Sequence, residues 1–521
     1  MRHSRDRFAI LFGTSLVAIT FFLVLDIESG LNLRAPYLQL PENDIEPTKN
    51  SQENDPKPDE ISNQTNYQYQ GEQIDDGDTG IFTNLKRNIE LNFRKIGNFR
   101  QFIDARSSSS NDDVGNVLNS PKNHFTDLQA AIDYIEMKDS STKTPKIESP
   151  TLGYLLSVKA NENWTILDKF NYKIKQNELY AEDSKTIDAL IREMATRKIS
   201  YVEEKAGGTQ IKMKMHFDNG MLAVSKPMRF PREQQTLENS MLYADYERHT
   251  ADIAAFHLDR LLGFRRAFPV TGRILNMTSE VYDRSEKKLR NTFFTSLQPY
   301  SNKCFYGTCR RYCDIYHPVC GVNGMLEASV IAYFPDYLGI RNDRIKHPWR
   351  KAYNPYSKAI WELDPKYCKK VKTQPPYNKG RRLLDLIDMA IFDFLSGNMD
   401  RHHYETFTIF GENTFTIHYD NGRGFGRAFY DELANLAPLV QCCMIRTSTL
   451  KILLRFHNGP NPLSELMRES MASDPVSKNA PVLWEPHLKA LDRRVGIILT
   501  ELQGCIETHS VHDVLYPRDE F

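Results

Sequence analysis

Five ionisable residues carry the chemistry this sequence could do. Lys226 stands in "AVSKPMRF", Glu247 in "DYERH", Asp400 and Glu405 in "GNMDRHHYETF", and Asp420 in "HYDNGRGFG". A lysine supplies one fixed positive charge, and carboxylates hold a divalent metal that supplies more. Together they neutralise a triphosphate as a phosphoryl bond breaks. A further aspartate accepts or orients the proton of the attacking hydroxyl. Taken singly these residues are bland: a strand-end lysine is commonly a solvated surface residue, and a glutamate opening a helix is favoured by the helix dipole. Their order along the chain is what points to phosphoryl transfer.

Local pattern supplies the elements that must position them. "TQIKMKMHFDNGMLAVSKPMRF" alternates apolar and polar residues around Asp218-Asn219-Gly220, which predicts a hairpin with Lys226 near the end of its second strand. "DYERHTADIAAFHLDRLLG" has helical spacing, with Glu247 at its start and Gly263 as a C-cap. "RRLLDLIDMAIFDFLSG" is a deeply buried helix ending at Gly397, just before Asp400. "TFTIHYD" alternates as a strand ending at Asp420, and the chain from "LLRFH" onward is helical in pattern. Strand lysine, helix glutamate, loop aspartate and strand-end aspartate follow the running order of a protein kinase. Glu405 lies five residues after Asp400, where that loop usually carries a metal-binding asparagine. No G-x-G-x-x-G precedes the lysine, although "KAGGTQ" (205–210) could cover phosphates with backbone N–H groups. H-R-D and A-P-E are absent. The expected fold is α+β: a divergent, two-lobed protein-kinase-like fold with disulfide-rich insertions.

The 521 residues carry 67 basic and 67 acidic side chains, so a chain-wide basic field for gripping nucleic acid is absent. Residues 8–25 are uncharged and apolar, follow Arg2, Arg5 and Arg7, and are ended by Asp26. They read as a signal anchor with residues 1–7 cytoplasmic, or as a cleaved signal peptide. Residues 26–149 read as a largely disordered lumenal stem, interrupted near 81–103 by a short amphipathic pattern. Residues 150–330 form the expected N-lobe with a Cys-rich segment, and 331–521 the C-lobe. All eight cysteines follow residue 300, which in an oxidising lumen reads as four disulfides; "C-x4-C-x3-C-x6-C" leaves zinc as the alternative. Asn63, Asn163 and Asn276 are glycosylation sequons.

Longer stretches make the sequence recognisable. "DYERHTADIAAFHLDR", "CFYGTC", "QPPYNKGRRLLDLIDMAIFDFLSGNMDRHHYETF", "DNGRGFG" and "PLVQCCMIR" resemble the Fam20 family of secretory-pathway kinases, nearest its Golgi casein kinase branch, over residues 150–515. The resemblance implies a type II membrane protein of the Golgi lumen, also secreted after processing. It would transfer the ATP γ-phosphate to secreted acidic proteins at Ser-x-Glu, with Mn²⁺ preferred and Mg²⁺ as the alternative. Asp400 falls on the catalytic aspartate, and Glu247 and Asp420 on metal-binding carboxylates. Gln210, Lys226, Glu405 and the hinge segment Ile331, Ala332, Tyr333 and Phe334 fall on nucleotide-binding positions. The family pairing joins Cys304 with Cys320, Cys309 with Cys313, Cys368 with Cys442, and Cys443 with Cys505, a choice that spacing alone cannot make. A homodimer, or a heteromer with a paralogue, is also implied.

Two other branches stay open: xylosylkinases that phosphorylate the proteoglycan linker, and pseudokinases that activate a paralogue. The pseudokinase branch replaces the metal glutamate by glutamine, whereas Glu247 is intact. His402 and His403 read as residues holding the loop rather than as metal ligands, since neighbours point apart within a helix. Arg423 is either a phosphate contact or a brace for the metal loop. The basic runs at 341–353 and Arg310-Arg311 are either solvated surface or readers of the acidic specificity residue, by bidentate pairing.

Overall fold

The computed structural model describes residues 123–139, 149–237, 245–296, 302–335, 344–352 and 357–518. The expected anchor, Asn63 and the amphipathic pattern at 81–103 lie outside the described residues. No helix among those described is long and apolar enough to cross a membrane.

Among the described residues the helices of seven or more residues are α1 (Thr126–Asp139), α2 (Ile166–Tyr172), α3 (Lys185–Thr196), α4 (His249–Leu261), α5 (Arg382–Ser396), α6 (Thr447–Asn458), α7 (Leu463–Ala472) and α8 (Glu485–Thr508). The strands begin with β1 (Ile199–Glu204), β2 (Met213–Phe217), β3 (Leu222–Pro227), β4 (Val270–Asn276), β5 (Phe293–Ser296), β6 (Asn302–Phe305), β7 (Val319–Cys320) and β8 (Met325–Ala332). After them come β9 (Ile345–Lys346) and β10 (His403–Tyr404). The main sheet is antiparallel in the order β1-β2-β3-β8-β4. β5, β6 and β7 form a separate small sheet.

The β2–β3 hairpin forms where the alternation requires it. Met213, Met215 and Phe217 are buried on one face, the register runs Met213↔Ser225 to His216↔Leu222, and Gly220 takes φ 84° in the turn. α3 and α4 pack on β4 and β8, and α4 also meets α7. All fifteen residues of α5 are buried, and the helix packs against α8. Such burial forces its acids to find partners. Asp385 lies within 3.2 Å of Arg266, Arg381 and Arg446, and Asp388 pairs with Arg266 and Arg446. Burial alone would raise the Asp385 carboxyl, but the three guanidinium groups hold it well below the usual range.

Two expectations are corrected. Residues 126–139, assigned to a disordered stem, form α1, with Leu128, Ala131, Ile132 and Ile135 buried. These recur at i, i+3, i+4 and i+7, a stripe that packs on α6 and α8. The "TFTIHYD" segment is not a strand. It is buried through His418, but its N–H groups bond to three separate segments: Phe415 to Gln176 O, Ile417 to Glu405 O, and His418 to Arg266 O. Only the single bridge Glu405↔Ile417 remains of a ladder.

All eight cysteines are bridged: Cys304–Cys320 across β6 and β7, Cys309–Cys313, Cys368–Cys442, and Cys443–Cys505 onto α8. Asn163 is exposed, while Asn276 is half-buried and its Oδ1 accepts from Thr278 N and Ser279 N.

Candidate active site

Lys226 closes β3 and is buried, so its ammonium must be compensated. Its Nζ lies 2.9 Å from Glu247 Oε2, 3.0 Å from Asp252 Oδ2 and 3.4 Å from Asp420 Oδ1. Burial would lower its pKa, but Asp252, Glu247 and Asp420 together raise it well above the ordinary lysine value. A second cation, Lys212 Nζ, stands 3.7 Å from Glu247 Oε1 and 3.9 Å from Asp420 Oδ1. Lys212 is the largest cause holding the Asp420 carboxyl far below its usual value, with Lys226 adding to it. Glu247 is lowered against its burial by the same two lysines, whereas burial dominates at Asp252 and raises it.

Local structure explains how these groups meet. Glu247 stands just before α4, and Asp252 lies in its first turn. Asp420 takes a left-handed φ of 58°, turning the chain so that Gly422 passes against the pair. A Cβ at Gly422 would come 3.0 Å from both Glu247 Cβ and Lys226 Nζ, so a side chain there would displace the ion cluster. The Gln210 side chain does not face the cleft; its Oε1 accepts from Glu247 N at 3.0 Å and its Nε2 donates to Asp245 O at 2.8 Å. It braces the backbone that presents Glu247.

The cluster opens into a cleft of about 390 Å³. Val224, Phe268 and Val270, with Ile331, Ala332, Tyr333 and Phe334, give it an apolar wall. Glu405 and Tyr419 lie on the other side, and the turn Lys205–Gly208 borders it. One apolar wall facing a cationic and carboxylate end suits a base joined to a phosphate chain.

Asp400 is outside the lining of this cleft. It borders a small adjacent hollow with Arg423, Gly426 and Arg427. Its Oδ2 pairs with Arg423 Nη1, and its Oδ1 is 3.4 Å from His402 Nδ1. Gly397, at φ 67°, ends α5 and releases this loop. Arg401 then locks it: Nε and Nη2 each lie 2.9 Å from an oxygen of Asp393, Nη1 donates to Tyr419 O, and Nη2 also donates to Asn421 Oδ1 at 2.8 Å. The loop carrying Asp400 and the turn carrying Asp420 are thus held by one bidentate guanidinium. His402 Nδ1 is 2.8 Å from Asp400 O, so its ring belongs to the loop's own bonding.

Lys212, Asp252, Asp393 and Arg401 were not among the sequence-derived candidates. Asp252 and Asp393 could have been flagged as charges inside otherwise apolar helical stripes. Lys212 carried no signal beyond lying two residues after Gln210.

Among the described residues no group of three His, Cys, Asp or Glu side chains is arranged to hold a metal alone. Glu247 Oε2 and Asp252 Oδ2 are buried and without a hydrogen bond, though both face the Lys226 ammonium. Such donors fit a divalent cation held by one or two carboxylates and completed by phosphate oxygens.

The family model described as "Golgi casein kinase, C-terminal, Fam20" matches residues 164–514. The chain belongs to the Fam20 family. It is 51% identical over 397 residues to the "Extracellular serine/threonine protein CG31145" of Drosophila melanogaster, covering 76% of this chain and 74% of that protein. It is 48% identical over 360 residues to the human "Extracellular serine/threonine protein kinase FAM20C", covering 69% of this chain and 60% of the relative. Fam20 relatives at about 40% identity also include proteins named pseudokinase FAM20A and glycosaminoglycan xylosylkinase. The crystal structure of the Golgi casein kinase with Mn/ADP bound superposes with TM-score 0.69 at 36% identity, over 79% of this chain and 97% of that one. The fold is kinase-like, and kinase activity is the family's chemistry.

Proposed function

We propose that this Fam20 chain is a secretory-pathway Ser/Thr protein kinase that transfers the γ-phosphate of ATP to secreted proteins, preferring serine in Ser-x-Glu. The observation that carries the reading is the convergence of Lys226, Glu247, Asp252 and Asp420 beside the cleft. Lys226 and Lys212 meet phosphate oxygens. Glu247 and Asp420 hold Mn²⁺, or Mg²⁺ in its place. The metal, when bound, neutralises charge on the phosphates. Ile331–Phe334 receive the adenine, and Glu405 closes the nucleotide side. Asp400 accepts the proton of the acceptor hydroxyl, with Arg423 fixing its carboxylate. A wall of fixed charges already in place costs no reorganisation during transfer.

The same reading places the protein in the Golgi lumen, held by the 8–25 segment, with Asn63, Asn163 and Asn276 glycosylated. Assembly with itself or a paralogue remains part of this proposal. The test is transfer of labelled phosphate from ATP and Mn²⁺ to a Ser-x-Glu peptide, its Ser-x-Ala version and a xylose-containing linker sugar. Transfer to the Ser-x-Glu peptide alone supports the reading. Transfer only to the sugar moves the chain to the xylosylkinase branch, and no transfer despite nucleotide binding moves it to the pseudokinase branch.

A further inference from the structure

The two basic runs of the sequence lie in different settings. Arg311 donates its backbone N–H to Thr209 O at 2.8 Å, so that run sits against the glycine-rich turn on the nucleotide side. The other run enters the catalytic loop itself. β9 pairs antiparallel with β10, setting Lys346 opposite His403 and Ile345 opposite Tyr404. His347 N donates to His402 O at 3.0 Å. Cross-strand partners share a face. Tyr404 is fully buried on one face, which leaves Lys346 and His403 on the other. From there a continuous path leads back to the chemistry: the His403 and His402 rings are 4.6 Å apart, and His402 Nδ1 is 3.4 Å from Asp400 Oδ1.

Among the described residues no carboxylate pairs with the charge on this edge. Arg344, Lys346 and Arg350 are exposed, and the nearby acids among the described residues already have partners. Asp400 pairs with Arg423, Asp393 with Arg401, and Glu432 with Lys351. Both imidazoles are held below the ordinary histidine value, first by burial and then by charges that include Arg344 and Arg350. Three cations without a carboxylate partner among the described residues, beside the proposed acceptor aspartate, make a surface that an acidic chain would complete.

We infer that the edge formed by Arg344, Lys346 and Arg350 with His403 is the docking surface for the acidic stretch of a polypeptide acceptor. This rests on the protein-kinase reading and names where its substrate is held. An extended chain advances about 3.3 Å per residue, so acids a few positions from the acceptor serine reach this edge while the hydroxyl meets Asp400. Lys346 and Arg350 lie outside the nucleotide cleft and contribute affinity for the acceptor alone, whereas Arg344 also borders that cleft.

The experiment uses the full chain and two peptides, one with glutamates flanking a single serine and one with glutamines in their place. The variant is Lys346→Glu with Arg350→Glu, since both side chains lie outside the nucleotide cleft. The variant should raise KM for the glutamate peptide at least tenfold. KM for the glutamine peptide, KM for ATP and kcat should stay within twofold. Lys346→Gln with Arg350→Gln should give a smaller rise, about threefold, should charge reversal impair folding. An unchanged KM for the glutamate peptide overturns the inference, as does an equal rise for both peptides. An equal loss in Arg310→Glu with Arg311→Glu also overturns it. If the wild type phosphorylates neither peptide, the kinase reading fails. Fluorescence anisotropy of the labelled glutamate peptide then decides the surface: a tenfold weaker Kd in the first variant supports it, and an unchanged Kd contradicts it.

Discussion

Lys226 Nζ and Glu247 Oε2 are 2.9 Å apart, although one ends a strand and the other precedes a helix. The chain between them crosses to the loop after Asp420, where Thr236 N donates to Gly426 O at 2.8 Å and Gln235 Oε1 accepts from Ala428 N at 2.7 Å. The sheet side and the helical side of the cleft are therefore stitched together beside the ion cluster.

Removing the ammonium exposes that cluster's internal repulsion. Lys226→Met leaves Glu247, Asp252 and Asp420 with Lys212 as their remaining lysine. Breaking a buried ion pair on one side costs about 3–5 kcal/mol. The expected outcome is a matching loss of unfolding free energy in denaturant titration. ADP affinity with Mn²⁺ should also fall at least 100-fold by calorimetry.

Asp252 separates support from ligation. It lies 3.0 Å from Lys226 and is buried, but it is further from solvent in the cleft than Asp420. Asp252→Asn keeps its volume while removing one charge beside the ammonium. Activity should fall about tenfold, about 1.4 kcal/mol of lost transition-state stabilisation. Glu247→Gln should abolish metal-dependent ADP binding altogether, and calorimetry with and without Mn²⁺ distinguishes the two.

Gly422→Ala tests the close approach directly. Its Cβ would stand 3.0 Å from Glu247 Cβ and Lys226 Nζ, tighter than side chains tolerate without movement. We expect the melting temperature to fall by only a few degrees, while KM for ATP rises at least fivefold.

Much of this was legible in local pattern. The Asn-Gly hairpin and the Gly397 helix end fix the approach of Lys226 and Asp400 within a few residues, because those turns are set by φ-permissive residues. Asp252 and Asp393 were legible only as charges inside apolar helical stripes, and their role stays hidden until the partner of each is seen. Lys226 and Arg401 are those partners, 26 residues before Asp252 and eight after Asp393. Residues 414–418 imitate a strand because they alternate and are buried, yet their bonds go to three unrelated segments. α1 was masked by the polar chain on both sides of its four buried residues.

Acid should weaken the fold before it protonates Glu247 or Asp420, both of which are held below their ordinary values. Burial pushes His257, His347 and His487 each down to about 3. Their unfolded counterparts bind protons below about 6.5, so the native state loses stability as pH falls from there towards 3. Each histidine contributes up to about 1.4 kcal/mol per pH unit in that window. Glu501, pushed up to about 7 by burial, acts in the opposite sense between about 4.5 and 7 and offsets one of them. Asp385, held low by its arginines, keeps its contribution until pH falls below the usual carboxylate range. Melting temperature should therefore decline from pH 7 to pH 5, and His257→Gln should shallow that slope.

The most direct test of the central claim is phosphate transfer by the full chain, with labelled ATP and Mn²⁺, to a Ser-x-Glu peptide. Asp400→Asn and Asp420→Ala serve as paired variants. The account predicts transfer by the wild type, loss of at least 100-fold in both variants, and ADP·Mn²⁺ binding retained in Asp400→Asn but lost in Asp420→Ala. Undiminished transfer by Asp400→Asn would contradict it and make Asp400 a loop brace for Arg423 and His402.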